Sequence, residues 1–226
     1  MLLERGPSAG IQHIRLQEVL RHTGLTTGAA YRIWSDQNDY QRELAVAMVK
    51  LRFTAPAQAA EAAVADLLAS GAGMDDVIRT AARSHVLQAT RSDPLSKDSR
   101  AFLIALSLRA AADTWPELLE AAQDRHTESV EEFARFYGEI MRSYGYRMRT
   151  PYTLVDFTEA MAALGEGFSL RAVEGLVHPE LDIAEDDEGP TGRWTLFGIA
   201  IRGLIHEFMV RENDDALPGS ADPGRA

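Results

Sequence analysis

The sequence predicts an all-α fold in two parts, a short N-terminal helical unit and a longer helical body. Three observations carry that expectation. Apolar residues recur at three- and four-residue spacing over most of the chain, the period of a helix with one buried face. No Asn-Gly or Asp-Gly hairpin turn occurs, and no alternating run of β-branched residues is longer than about four. Charge is divided unevenly: residues 1–55 carry seven basic and five acidic side chains, a net of +2, so that the rest must hold −13 of the total of −11.

Leu16–Thr23 is the first amphipathic stretch, with Leu16, Val19, Leu20 and Thr23 on one face and Gly24 as its C-terminal stop. Thr27–Trp34 reads as a second short helix. A third begins at Ser35 or Asp36, whose side-chain oxygens suit a free first-turn amide, and shows Tyr40, Leu44, Ala47, Met48 and Leu51 on one face. Pro56 predicts a kink or break before the Ala-rich helix 57–69. Further helices are expected over Met74–Gln88, Lys97–Ala112, Pro116–Tyr144 with Asp113 or Thr114 as cap, Thr153–Val177 stopped by His178-Pro179, and Arg193–Arg211. Acidic Leu181–Pro190 reads as a solvated loop, since it lacks the EF-hand spacing for calcium, and 213–226 as a disordered tail. The expected division is 1–52, 53–212 and this tail.

Several chemistries lose their usual signatures. A chain of 226 residues without cysteine has no disulfides, thiolate metal sites or cysteine nucleophile. With 46% hydrophobic and 25% charged residues it is an ordinary globular composition. Neither a long apolar run nor a signal-peptide pattern is visible, which makes a cytoplasmic protein the expectation. Gly6-Pro7-Ser8-Ala9-Gly10 matches a nucleophile elbow in letters but lacks room for the strand that must precede one. His206-Glu207 has no second histidine four residues on, and no phosphate-loop Gly-Lys-Ser/Thr is present. No metal or cofactor is expected.

Residues 15–44 are the motif that stands. Two short helices around Gly24 make a helix-turn-helix pattern, with Val19, Thr23, Leu25, Ala30 and Ile33 at crossing positions. The second helix is thin at its start, where Thr27, Gly28 and Ala29 permit close approach to a DNA groove. The run from Leu16 to Tyr40, and Gly24, Leu25, Thr26, Gly28, Tyr31 and Trp34 within it, resembles the recognition segment of the tetracycline-repressor (TetR) family. The long body helices resemble that family's ligand-binding and dimerising helices. Only Met1–Gly6 resembles the end of the family's first helix, so that helix is expected to be incomplete. Leu20 replaces a usual small residue, and Gln37 stands where a phosphate-contacting lysine is common.

The resemblance implies a homodimeric transcriptional regulator, most simply a repressor, released from a palindromic operator by a small apolar or amphipathic molecule, with no catalysis. Thr27 and Tyr31 would anchor phosphates, and Gln17, Thr26, Ala29 and Arg32 would face bases or phosphates. Gln37 would touch the flank, and Arg15 would add attraction for phosphate. In the body, His85, Phe102, Trp115, His126, Phe133, Tyr137, Met141 and Phe168 are candidate pocket residues, because such sites are mostly apolar with a few polar groups. Phe157, Met161 and Leu164 with Trp194, Phe197, Ile201, Ile205 and Phe208 form two apolar faces read as a two-fold four-helix interface, where Gly165 and Gly167 would allow close approach. A helical ligand-binding dimer without DNA binding and an all-α enzyme remain open beside this reading. The incomplete first helix favours the former, and the lack of an acid/base constellation disfavours the latter.

Overall fold

The computed structural model describes residues 14–50, 55–91, 104–110, 113, 115–184 and 191–212. Helix dominates, as the apolar periodicity predicts, and the chain divides into two compact units. The first is Met1–Ala55 with Arg91–Glu128, and the second is Pro56–Thr90 with Ser129–Ala226. Among the described residues, no helix is long and apolar enough to cross a membrane.

In the first unit lie α1 (Leu16–Thr23), α2 (Thr27–Ala30) and α3 (Gln37–Lys50). The first has the expected bounds because its stop is local: Gly24 adopts a left-handed φ of 71° that a side chain disfavours, and its N–H returns to the Leu20 carbonyl. The second helix is shorter than expected. It ends at Ala30, and residues 31–33 form a turn in which Ile33 and Trp34 both donate their N–H to the Ala30 carbonyl. The third starts at Gln37, where the Asp36 carboxylate accepts from the N–H groups of Asn38 and Asp39 as the capping argument requires. Its second half joins Ala45 and Val49 to Leu108, Leu118 and Ala121 in one apolar cluster. Of the helix expected over Lys97–Ala112, residues 104–109 are helical and Ala110 turns, and the remainder lies outside the described residues.

After α3, α4 (Ala55–Ser70) carries Pro56 in its first turn, where a missing N–H has no partner to lose; residues 51–54 lie outside the described residues. Next come α5 (Met74–Arg91) and α6 (Pro116–Ser143). Trp115, rather than Asp113 or Thr114, immediately precedes α6, and its carbonyl accepts from Leu118 and Leu119.

In the second unit α7 (Leu154–Val173) opens on a capping box in which Thr153 and Asp156 exchange hydrogen bonds. Those bonds hold the exposed Asp156 carboxyl below its ordinary pKa. The helix stops short of His178-Pro179 because Gly175 turns left-handed at φ 80°, letting Gly175 and Leu176 donate back to Ala172 and Arg171.

Four short strands correct the purely helical expectation. After α6, β1 (Tyr146–Met148) pairs antiparallel with β4 (Met209–Arg211). β2 (Leu181–Ala184), expected as loop, pairs with β3 (Thr191–Trp194), and residues 185–190 lie outside the described residues. The last helix, α8 (Leu196–Phe208), is therefore trimmed at both ends, and the Thr195 hydroxyl caps it by accepting from Gly198. Strands of three or four residues are too short to display alternation. The expected tail, 213–226, also lies outside the described residues.

The elements of the second unit enclose a core of Ile78, Ala82, Phe157, Met161, Phe168, Trp194, Phe197, Ile201 and Met209. Trp194 is fully buried, with the guanidinium carbons of Arg79 and Arg202 at 5.6 and 5.3 Å from its ring centre. Such cation–π contacts partly offset an indole N–H that is buried without an acceptor. Glu180 joins the β2–β3 ribbon to α5, lying 3.1 Å from Arg83 and 2.8 Å from Arg193.

Candidate nucleic-acid interface

The α1–α2 pair is held by a small apolar cluster of Leu16, Leu20, Ala30 and Tyr40, backed by half-buried Ile14, Val19, Trp34 and Leu44. A large Leu20 and a small Ala30 share this cluster, so the bulk of Leu20 on α1 is accommodated across the crossing. The Trp34 ring meets Tyr40 edge-on at 5.0 Å and donates its N–H to Glu43 at 2.6 Å, and burial pushes the Tyr40 hydroxyl up from its ordinary pKa. Of the five residues expected at the crossing, Ala30 is buried and Val19 half-buried. Thr23, Leu25 and Ile33 are exposed, the last two by 58% and 66%, because α2 is one turn long and cannot cover what flanks it.

Two polar residues expected at DNA perform structural work. Gln37 closes the start of α1: its Oε1 accepts from the Leu16 N–H and its Nε2 donates to the Ile14 carbonyl, both at 2.9 Å. That bidentate cap replaces the missing side-chain cap at Arg15. Thr26 caps α2 by accepting from the Ala29 N–H. Arg15, Gln17, Thr27, Ala29, Tyr31 and Arg32 are all exposed, Tyr31 by 51%.

Charge around α1 and α2 is distributed asymmetrically. Arg15, Arg21 and Arg32 have no side-chain hydrogen bond or ion pair among the described residues. Of the nearby carboxylates, Asp36 is engaged on the first amides of α3, Asp39 on Ser35 and Glu43 on the Trp34 indole, while Glu18 stands exposed in the first turn of α1. Arg42 differs from the other arginines in lying over the Trp115 ring at 6.0 Å.

The candidate pocket residues fall in different places. Trp115 belongs with the first unit's second cluster, His126 is an exposed residue of that unit, and Phe102 lies outside the described residues. In the second unit, Phe133, Tyr137, Phe157 and Phe208 form a run of ring contacts 5.5–5.9 Å apart, with Met141 half-buried against the same core. Burial pushes the Tyr137 hydroxyl up to about 12. A second run joins His85 to Phe197 at 4.9 Å and Phe197 to Phe168 at 5.0 Å. The His85 Nε2 lies 2.8 Å from the Ser169 hydroxyl and 3.3 Å from the Gly165 carbonyl, tying α5 to α7. Burial lowers the His85 pKa, and the bond to Gly165 opposes that shift.

The apolar faces read as a dimer interface close largely within one chain. Phe157, Met161, Trp194, Phe197 and Ile201 are buried against α5, while Leu164, Ile205 and Phe208 are half-buried on the same core. Apolar periodicity identifies a face that must be covered but not what covers it. Gly165 does meet a neighbour, the His85 ring at 3.7 Å, whereas Gly167 faces open space. The close helix approach occurs instead at Gly198, where an added Cβ would lie 3.3 Å from Ala82, Trp194 and Thr195.

Sequence reasoning missed the cap made by Gln37 and the bridge made by Glu180. The partner of Gln37 lies more than twenty positions away and that of Glu180 nearly a hundred, so no local pattern marks either. Comparison with family models, curated proteins and solved structures finds no match to this chain.

Proposed function

We propose that this chain is a DNA-binding transcriptional regulator acting through the helix-turn-helix pattern of α1 and α2. The observation that carries the reading is the charge asymmetry: Arg15, Arg21 and Arg32, exposed on and beside α1 and α2, have no counter-ion among the described residues, while Asp36, Asp39 and Glu43 are held in caps and an indole contact and leave Glu18 as the one exposed carboxylate of α1. Phosphates attract unpaired guanidinium groups, and a low helix surface allows close approach to a groove. Homodimerisation on a palindromic site and release by an amphipathic small molecule belong to the same proposal, by the resemblance to the TetR family.

Fluorescence anisotropy with duplexes from the region upstream of the gene tests the reading. Wild-type binding is expected to exceed that of competitor DNA. Tyr31→Ala should weaken binding to every sequence by about tenfold, the scale of one hydrogen bond to a charged group. Arg32→Ala should also relax base preference. Equal affinity of the wild type for all duplexes and of Tyr31→Ala for each of them would overturn it.

A further inference from the structure

The exposed apolar side chains at α2 extend the DNA reading, on which this inference rests, to the chemistry of the bases. Leu25 and Ile33 bracket α2 and are more than half exposed, so that aliphatic carbon is open to a partner on either side of the helix. Between them the chain offers Thr27, Gly28 and Ala29, and nothing lies within 4 Å of a Cβ placed on Gly28. The hydrogen-bonding repertoire is narrow. Thr26 is engaged as the α2 cap and Gln37 as the α1 cap, Gln41 is buried, and residues 24–33 contain no asparagine, glutamine or lysine. Reading adenine through N6 and N7 calls for an amide and reading cytosine through N4 for a carboxylate, neither of which residues 24–33 contain, so that an amide contact is left to Gln17 of α1; reading guanine through O6 and N7 calls for a bidentate cation, which Arg32 alone supplies within 24–33. The remaining major-groove feature is the thymine 5-methyl group, which aliphatic carbon contacts favourably.

We propose that Leu25, Ile33 and the methyl groups of Thr27 and Ala29 form a thymine-methyl reader, with Arg32 the bidentate contact of the same segment, so that the preferred half-site holds a guanine among thymines. The occupant of this surface is the major groove of duplex DNA. Charge complementarity supports that choice over a protein partner, since the unpaired Arg15, Arg21 and Arg32 lie on the same two-helix segment.

The test selects bound duplexes from a random library with the full chain, then remakes the preferred duplex with deoxyuridine for each thymine in turn. Deoxyuridine keeps every hydrogen bond and removes only the methyl. Loss of about three- to fivefold in affinity per methyl read is expected, the scale of burying one such group. In Leu25→Ser with Ile33→Ser, substitutions at exposed positions, the same replacements should lose most of their effect. If no duplex is preferred over competitor, the DNA reading itself fails. A preferred duplex indifferent to deoxyuridine overturns the methyl reader and leaves DNA binding standing. A deoxyuridine effect unchanged in the double variant overturns the assignment to these residues. A change in the variant's sedimentation without DNA assigns the surface to a second copy of the chain, which also overturns it.

Discussion

His85 shows how one buried side chain makes stability depend on pH. Burial against Phe197 holds its imidazole below the ordinary value of 6.5, so the folded state keeps it neutral where the unfolded chain already binds a proton. The unfolded state then binds more protons between the two values. The stabilising contribution is present above pH 6.5 and is lost as pH falls below it. Urea denaturation from pH 7.5 down to pH 5 should show declining stability, and His85→Gln, which can still hydrogen-bond to Ser169 but does not titrate, should flatten that decline. An unchanged slope in the variant would assign the acid sensitivity to another group. The α1–α2 residues illustrate a different lesson: Tyr31 and Arg32 were legible as exposed candidates because the motif is local. The capping roles of Gln37 and Thr26 were not legible, because the residue type that suits a phosphate also suits a bare helix terminus.

Among the elements, α7 and α8 show what periodicity can and cannot tell. Their apolar faces were visible in the sequence, since the residues that make each face recur within a few positions of one another. What covers those faces was not visible, because α5, which supplies Ile78 and Ala82, comes from a distant part of the chain. The short strands were equally hidden, having too few residues to alternate. Phe197→Glu with Ile201→Glu therefore places two unpaired charges in the core, and the expected outcome is unfolding, a loss of several kcal/mol, rather than dissociation of an intact fold. Circular dichroism alongside sedimentation separates the two, and a folded but smaller species would restore an interface role. A glycine pair tests the packing more gently. Gly198→Ala must push against Ala82, Trp194 and Thr195 and should destabilise by about 1–2 kcal/mol. Gly167→Ala, exposed on α7 with nothing near it, should stabilise by up to about 1 kcal/mol through helix propensity. Urea midpoints moving in the same direction would contradict this account of the two sites.

For the whole molecule, the division into units changes how the charge is understood. Residues 1–55 are mildly basic as a segment, but the first compact unit also takes in 91–128 and holds twelve basic and twelve acidic side chains, so the entire −11 lies in the second. Attraction for DNA must therefore come from a few well-placed arginines rather than a broad basic field. With Arg32 on a base, Arg15 and Arg21 predict a plot of log affinity against log salt with a slope of about −1.8 per chain, far shallower than for a strongly basic protein. Anisotropy titrations at several potassium chloride concentrations measure it, and a slope several times steeper would mean that other cations make the contacts. The sealed position of Trp194 has a consequence of another kind. Trp34 and Trp115 belong to the first unit and Trp194 to the second, so removing the first two as phenylalanines leaves a luminescent reporter of the second unit alone. An indole with no exposed surface should emit at short wavelength and resist quenching by acrylamide, shifting red only when the β3–α8 corner opens. In that form the chain would signal the loosening of its own interior by colour, with no label attached.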